Sequence, residues 1–326
     1  MAFVRKKRIS GNEYHYLVYT DPSGKKTEKY LGKEPPSEEE LGKVLASLGL
    51  PAEAVAAKPL NVKESKPRIE KQEEAESIRE GKHIQTGIGG FDTLFERGIP
   101  QGSTLLVAGG TVSGKTVFCL QVLANNAAQG KKCYYLSFEE SRERLLGHMK
   151  DFGWEPEKLL GSGNLVLERL SPFQMSRTME AMLAKDKGEL LIEVDPVALP
   201  AGFRPDIIAL DSLTALASVF TGKKDSYRIY VEQLFRFLEN LGCTSFLITE
   251  TEHVPTKYSP TAVEEFLADG VFVLYNLQRG GVRESAIEVL KMRGEPHKKR
   301  LVPMQITKKG IVVYPEEEVF GNTTPS

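Results

Sequence analysis

From His83 to Pro315 short apolar runs alternate with amphipathic ones, and no other feature of the chain restricts its fold as much. "STLLVAGG" reads as a buried strand entering a turn, and "TVFCLQVLANNAAQG" as a helix closed by Gly130. "CYYLSFEE", "NLVLERL", "DIIALDSLTAL" and "TSFLITETE" read as further strands. Between them "SRERLLGHMKDFG", "SRTMEAMLAKDKG" and "YRIYVEQLFRFLENLG" carry helical periodicity. Such alternation builds a parallel sheet whose crossover helices cover both faces. "DGVFVLYNLQ", "ESAIEVLKMRG" and "LVPMQITKKGIVVYP" are expected as three closing strands that add an antiparallel edge. The expectation is an α/β domain of three layers with a mainly parallel sheet.

The chain before His83 has a different texture. "EYHYLVYT" and "TEKYLGK" flank the turn "DPSGKK", as in a β-hairpin. Ser37 and Glu40 have capping-box spacing, Leu41, Val44, Leu45 and Leu48 form one helical stripe, and Gly49 and Pro51 end it. A polar, mixed-charge stretch follows, with little to bury, and reads as a linker or a solvated helix. The expected organisation is a small α+β appendage (a basic hairpin plus a helix) at 1–58, a charged linker at 59–82, the large domain at 83–316 and a tail at 317–326.

The net charge of −1 excludes a uniformly basic nucleic-acid binder but hides an asymmetry. Eight basic residues face three acidic ones between Met1 and Lys33. Cys119, Cys133 and Cys243 are far apart in apolar stretches, which suits buried thiols better than a disulfide framework or a metal site. Trp154 reads as core. No apolar run approaches the roughly 20 residues of a membrane span, and the basic start lacks a following apolar segment. The expectation is a cytoplasmic protein without a membrane partner.

One turn carries chemistry. "GGTVSGKT" places Gly109, Gly114, Lys115 and Thr116 at G-x-x-x-x-G-K-[ST] spacing, between a strand and a long helix. Backbone amides from Gly110, Thr111, Val112, Ser113, Gly114, Lys115, Thr116 and Val117 can turn toward phosphate oxygens, aided by the helix N-terminus. Lys115 can reach the β- and γ-phosphates, and the Thr116 hydroxyl can ligate Mg²⁺. The β-branched Val112 is an unusual filling for so sharp a turn.

Two acidic positions complete the pattern. "DIIALDS" presents Asp211 at the tip of an apolar strand, where an acid holds Mg²⁺ in P-loop nucleotidases. An acid at that position also serves as a plain helix N-cap. "YLSFEES" presents Glu139 and Glu140 at another strand tip. A carboxylate beside the γ-phosphate orients or deprotonates the attacking water. Both glutamates also suit the first turn of a helix, and spacing alone leaves these readings even.

The block from about Gln85 to Pro315 resembles the KaiC-like branch of the RecA superfamily. The resemblance rests on "TGIGGFDTLFERGIPQGSTLLVAGG", "SFEES", "DFGWEP", "ALDSLTAL", "VEEFLADGVFVL" and "EVLKMRGEPHKKRLVPMQITKKGIVVYP", in that order. It implies a RecA-type P-loop ATPase that uses ATP and Mg²⁺, with Glu139 and Glu140 as the paired catalytic glutamates. It also implies a homo-oligomeric ring, usually a hexamer, with ATP between neighbouring subunits. Lys291 and Arg293 of "KMRG" then reach the nucleotide held by the next subunit, and His297 and Lys299 lie near that nucleotide. Taken without the family, "KMRGEPHKKR" is a basic, solvated turn.

The chain also departs from the clock protein of that family. One ATPase motif set is present instead of two. Glu264, Glu265 and Phe266 stand where the second clock domain has adjacent hydroxyl phosphate acceptors, and Thr261 is displaced. An autokinase is therefore disfavoured. The leading expectation is an ATP-hydrolysing regulatory switch with a protein partner. The alternative is a nucleic-acid-dependent recombinase or translocase. It would use the N-terminal hairpin ("FVRKKRI" with Tyr14, Tyr16, Tyr19 and Tyr30) or loops bearing Lys223, Lys224, Lys257 and Tyr258.

Overall fold

The computed structural model describes residues 2–9, 12–20, 26–32, 34, 36–48, 50, 82–171, 195–220, 224–252, 255, 257–279 and 281–320. The expected linker, apart from Lys82, lies outside the described residues, as do the helix expected over 176–188, Lys223 and the last six residues. The chain divides into two compact units, Met1–Glu73 and Glu74–Ser326.

The smaller unit contains β1 (Ala2–Ile9), β2 (Asn12–Thr20), β3 (Lys26–Gly32) and α1 (Glu38–Ser47). The expected hairpin of β2 and β3 gains a strand. β1 pairs antiparallel with β2 along its whole length, from Ala2 opposite Tyr19 to Ile9 opposite Asn12. Four consecutive basic residues conceal strand periodicity in "AFVRKKRI", yet charge suits an edge strand because it discourages further pairing. α1 opens on the capping box: Glu40 N donates to Ser37 Oγ at 3.3 Å and Ser37 N to Glu40 Oε2 at 3.0 Å. Leu45 packs with Leu17 in a small core that Leu41, Val44 and Leu48 margin.

The larger unit begins with the short pair β4 (His83–Ile84) and β5 (Ile99–Pro100). Its main elements are β6 (Thr104–Gly109), α2 (Lys115–Ala128), β7 (Cys133–Ser137), α3 (Arg142–Asp151), α4 (Pro156–Gly161) and β8 (Leu165–Arg169). β9 (Ile207–Asp211), α5 (Leu213–Val219), α6 (Lys224–Leu241), β10 (Thr244–Glu250) and α7 (Val263–Leu267) follow. β11 (Gly270–Arg279), β12 (Val282–Met292), β13 (Val302–Thr307) and β14 (Gly310–Val313) close the unit.

These strands form one nine-stranded sheet in the order β14-β13-β12-β11-β6-β10-β9-β7-β8. From β11 to β8 every neighbouring pair is parallel, while β12, β13 and β14 run antiparallel. Alternate residues feed opposite faces, as a period of two requires. Leu105, Val107, Ile207 and Ala209 join the core under α2, α3 and α4. Leu106, Ile208 and Leu210 join the core under α5 and α6. The result is a RecA-type arrangement of three layers. The loops after β6, β7, β9 and β10 leave one end of the sheet together, where ligands bind in open α/β sheets.

Four segments differ from expectation. "LVPMQITKKGIVVYP" is two strands, because Gly310 at φ 113° reverses the chain and Thr307 Oγ1 ties the turn to Gly310 O at 2.8 Å. "DIIALDSLTAL" leaves the sheet after Asp211, because the Ser212 hydroxyl accepts from Ala215 N at 3.1 Å and starts α5. α4 and α7 are short helices whose periodicity is too brief to read. All three cysteines are buried and free, and Trp154 packs half-buried against the first core, its indole donating to Lys309 O at 3.1 Å. Among the described residues no helix is long and apolar enough to cross a membrane.

Candidate functional site

The loop at 110–114 joins β6 to α2, and its shape depends on two glycines. A Cβ on Gly109 would strike the Leu274 carbonyl and lie 2.6 Å from Ser113 Oγ, so the strand tip admits no side chain. Gly114 sits at φ 97° as the N-cap of α2, a conformation that glycine adopts freely. Val112 adopts φ 59° without being glycine, and its side chain is 78% exposed at the loop tip. The loop therefore keeps its turn at some cost in strain. Ser113 N donates to Gly110 O at 3.2 Å, while Ser113 Oγ is buried without a partner among the described residues. The first amides of α2 have no partner within the helix and point out of its N-terminus. Val117 packs against the core one residue beyond Thr116.

Four side chains from two strand ends and the helix meet above this loop. The Lys115 ammonium donates to Gly110 O at 2.9 Å. Burial pushes its pKa below the ordinary lysine value, and the charges of Glu250, Asp211 and Glu139 work against that. Thr116 Oγ1 donates to Asp211 Oδ2 at 2.8 Å. Asp211 is 5% exposed, and burial raises its pKa while hydrogen bonds from Tyr135 and Thr116 lower it. A hard oxygen pair of hydroxyl and carboxylate suits Mg²⁺, which needs few protein ligands when phosphates supply the rest.

The paired glutamates part company. Ser137 Oγ accepts from both their amides, at 3.2 Å from Glu139 N and 2.8 Å from Glu140 N, which fixes the strand tip. Glu139 Oε1 then accepts from Ser212 Oγ at 2.6 Å, beside Asp211. Glu140 Oε2 turns to α3, where His148 Nε2 lies at 3.0 Å and Arg144 Nε at 3.3 Å. Glu139 thus lies beside Ser212, close enough for its charge to act on Lys115 and Asp211. Glu140 is held by the helix that follows it.

Lys291 and Arg293 lie at the other end of the sheet. Lys291 stands opposite Val271 and Met292 opposite Gly270, whereas Gly109 pairs with Leu274. Lys291 Nζ donates to Ala268 O at 2.6 Å and Glu265 O at 2.9 Å, and burial lowers its pKa. Arg293 Nη2 donates to Phe266 O at 2.9 Å. Both cations sit at the C-terminal end of α7, where helix carbonyls favour positive charge. His297 Nδ1 lies 3.2 Å from Glu295 O, its Nε2 is buried without a partner, and Lys299 is exposed. The structure thus gathers Lys115, Thr116, Asp211 and Glu139 and leaves Lys291, Arg293, His297 and Lys299 apart from them.

The remaining motifs are also placed. Glu264 is fully buried and accepts from Tyr227 Oη at 2.7 Å and Thr261 Oγ1 at 2.8 Å. The Thr261 hydroxyl is thereby engaged. Tyr258 is half-buried against the second core and its carbonyl accepts from Thr249 Oγ1 at 2.7 Å, while Lys257 is exposed. Sequence reasoning missed Tyr135, Ser212, Glu250 and His148. Ser212 was within reach as the neighbour of Asp211. The signal for Tyr135 is a tyrosine hydroxyl in a buried strand, where, like that of its neighbour Tyr134, it must find a partner.

A family model described as "ATPase: KaiC" matches residues 84–318. The Circadian clock protein KaiC3 of Synechocystis sp. is 34% identical over 236 residues, covering 71% of this chain and 45% of that protein. The Circadian clock oscillator protein KaiC of Synechococcus elongatus is 30% identical over 239 residues, covering 71% of this chain and 44% of its own length. The chain therefore spans less than half the length of these curated relatives. A solved KaiC-like protein of the hyperthermophilic archaeon Pyrococcus horikoshii superposes with a TM-score of 0.59 at 29% identity, over 72% of this chain and 99% of that one.

Proposed function

Because the chain belongs to the KaiC family of ATPases, we propose that it hydrolyses ATP with Mg²⁺ and uses its nucleotide state as a regulatory switch. The observation that carries this reading is the meeting of Lys115, Thr116, Asp211 and Glu139 at one end of the parallel sheet.

The amides of residues 110–117 and the Lys115 ammonium hold the β- and γ-phosphates. A bound Mg²⁺ supplies Lewis-acid polarisation of those phosphates, and Thr116 and Asp211 are the residues that would hold it. Glu139 accepts a hydrogen bond from water and aligns its oxygen with the γ-phosphorus. Attack forms the new P–O bond as the bond to the β-phosphate oxygen breaks, the water's proton passes through Glu139 to solvent, and ADP leaves with inorganic phosphate. Lys291 and Arg293 of an adjacent copy neutralise charge on the transferring group, which makes the active form a closed homo-oligomer, six copies being the expected ring. His297 and Lys299 of that copy lie near the same nucleotide. The engine is the domain expected at 83–316, and the unit expected at 1–58 passes its state to a partner.

Phosphate release from ATP, with and without Mg²⁺, tests this. Turnover that needs Mg²⁺ and falls about 100- to 1,000-fold in Lys115→Ala is expected. Folded wild-type protein that leaves ATP intact overturns the reading. A rate indifferent to added DNA at two salt concentrations separates the switch from a nucleic-acid motor.

A further inference from the structure

Tyr135 lies in the middle of β7, fully buried, in the core between the sheet and α2. A phenylalanine would fill the same space among those apolar neighbours. The tyrosine instead carries a hydroxyl that must be satisfied away from water. It donates to Asp211 Oδ2 at 2.7 Å, the same oxygen that accepts from Thr116 Oγ1 at 2.8 Å. One donor comes from a strand and the other from a helix, so the carboxylate is tied to two separate elements. Among the described residues no donor reaches Asp211 Oδ1.

The terminal torsion of an aspartate is soft, and one hydrogen bond lets the carboxylate turn about it. Two donors on one oxygen fix the plane and leave the other oxygen with a set direction. The Thr116 donor is not dedicated to this task, because the same hydroxyl is the expected cation ligand. The Tyr135 hydroxyl has no such second task.

The geometry points to Tyr135 as a positioning residue of the nucleotide site, which holds the Asp211 carboxylate in the orientation that receives a phosphate-bound divalent cation. This rests on the ATPase reading above. Tyr135 touches neither nucleotide nor cation, and it acts only through Asp211. Partners behind a metal-binding side chain typically change metal affinity by about 10- to 100-fold when removed.

The test uses the full chain, Mn²⁺ as the cation and a non-hydrolysable ATP analogue. Mn²⁺ binding to the protein–nucleotide complex is read by electron paramagnetic resonance, and analogue binding in EDTA is read separately. In Tyr135→Phe the Mn²⁺ dissociation constant should rise about 10-fold or more, with metal-free analogue binding changed less than about twofold. Tyr135→Met, which also fills the space without a hydroxyl, should reproduce the deficit if the first variant folds poorly. A purely structural tyrosine would lower the melting temperature and leave Mn²⁺ affinity as in wild type, and that result overturns the proposal alone. Wild-type protein that binds no Mn²⁺–nucleotide complex overturns the ATPase reading with it.

Discussion

At the tip of β6 the chain's side chains bind one another, whereas at the opposite end of the same sheet Lys291 and Arg293 bind, among the described residues, backbone carbonyls and Asp269. The two ends are about four residues apart along β11, roughly 13 Å at a strand's rise. At the tip, hydroxyls and carboxylates close on each other at 2.6 to 2.8 Å. At the far end, two cations are parked on the last turn of α7 with no acid of the cradle in reach. Within one copy they cannot meet the phosphates they are expected to neutralise. On the reading proposed above, each chain carries one half-site and one donor of charge, and a second copy joins them.

The comparison can be broken first at the far end. Arg293→Ala should cut ATP turnover about 1,000-fold or more, the loss typical of a cation supplied in trans. ATP binding to the variant should stay within a few-fold of wild type, read by equilibrium titration, because the cradle is untouched.

The next effect separates the glutamates at the near end. Glu139→Gln should lower turnover by about 100- to 1,000-fold, as loss of a water-positioning base does. Glu140→Gln should cost less than about 10-fold, since that carboxylate faces His148 and Arg144. Single-turnover phosphate release distinguishes them, and equal losses would mean that both carboxylates reach the water.

The smallest effect belongs to the loop tip. Val112→Gly removes left-handed strain but adds backbone freedom, so the two terms oppose within about 1 kcal/mol. Thermal melting should shift by a few degrees at most, with turnover within about twofold. A large gain in turnover would show that the strained loop limits the rate.

Much of this was legible in the sequence where the signal is local. The spacing of Gly109, Gly114, Lys115 and Thr116 between a strand and a helix fixes the cradle, and an apolar run ending in Asp211 fixes the second carboxylate. The capping box at Ser37 and Glu40 is equally local. What sequence left open depends on strand register. Tyr135 and Asp211 are 76 positions apart, and β7 beside β9 brings the hydroxyl to the carboxylate. The division of labour between Glu139 and Glu140 has the same origin. Identical adjacent residues differ only because Ser212 lies on one side and His148 on the other. β1 was hidden for another reason, since the run of basic residues from Arg5 to Arg8 interrupts any apolar alternation in it.

The joining of two half-sites is tested most directly by mixing disabled subunits. Arg293→Ala protein keeps an intact cradle, and Glu139→Gln protein keeps an intact charge donor. Each alone should be nearly inactive. In an equal mixture about a quarter of the interfaces in a closed ring pair an intact cradle with an intact donor, so activity should return to roughly that fraction of wild type. A mixed assembly that forms and exchanges subunits yet stays as inactive as its parents would contradict the shared site.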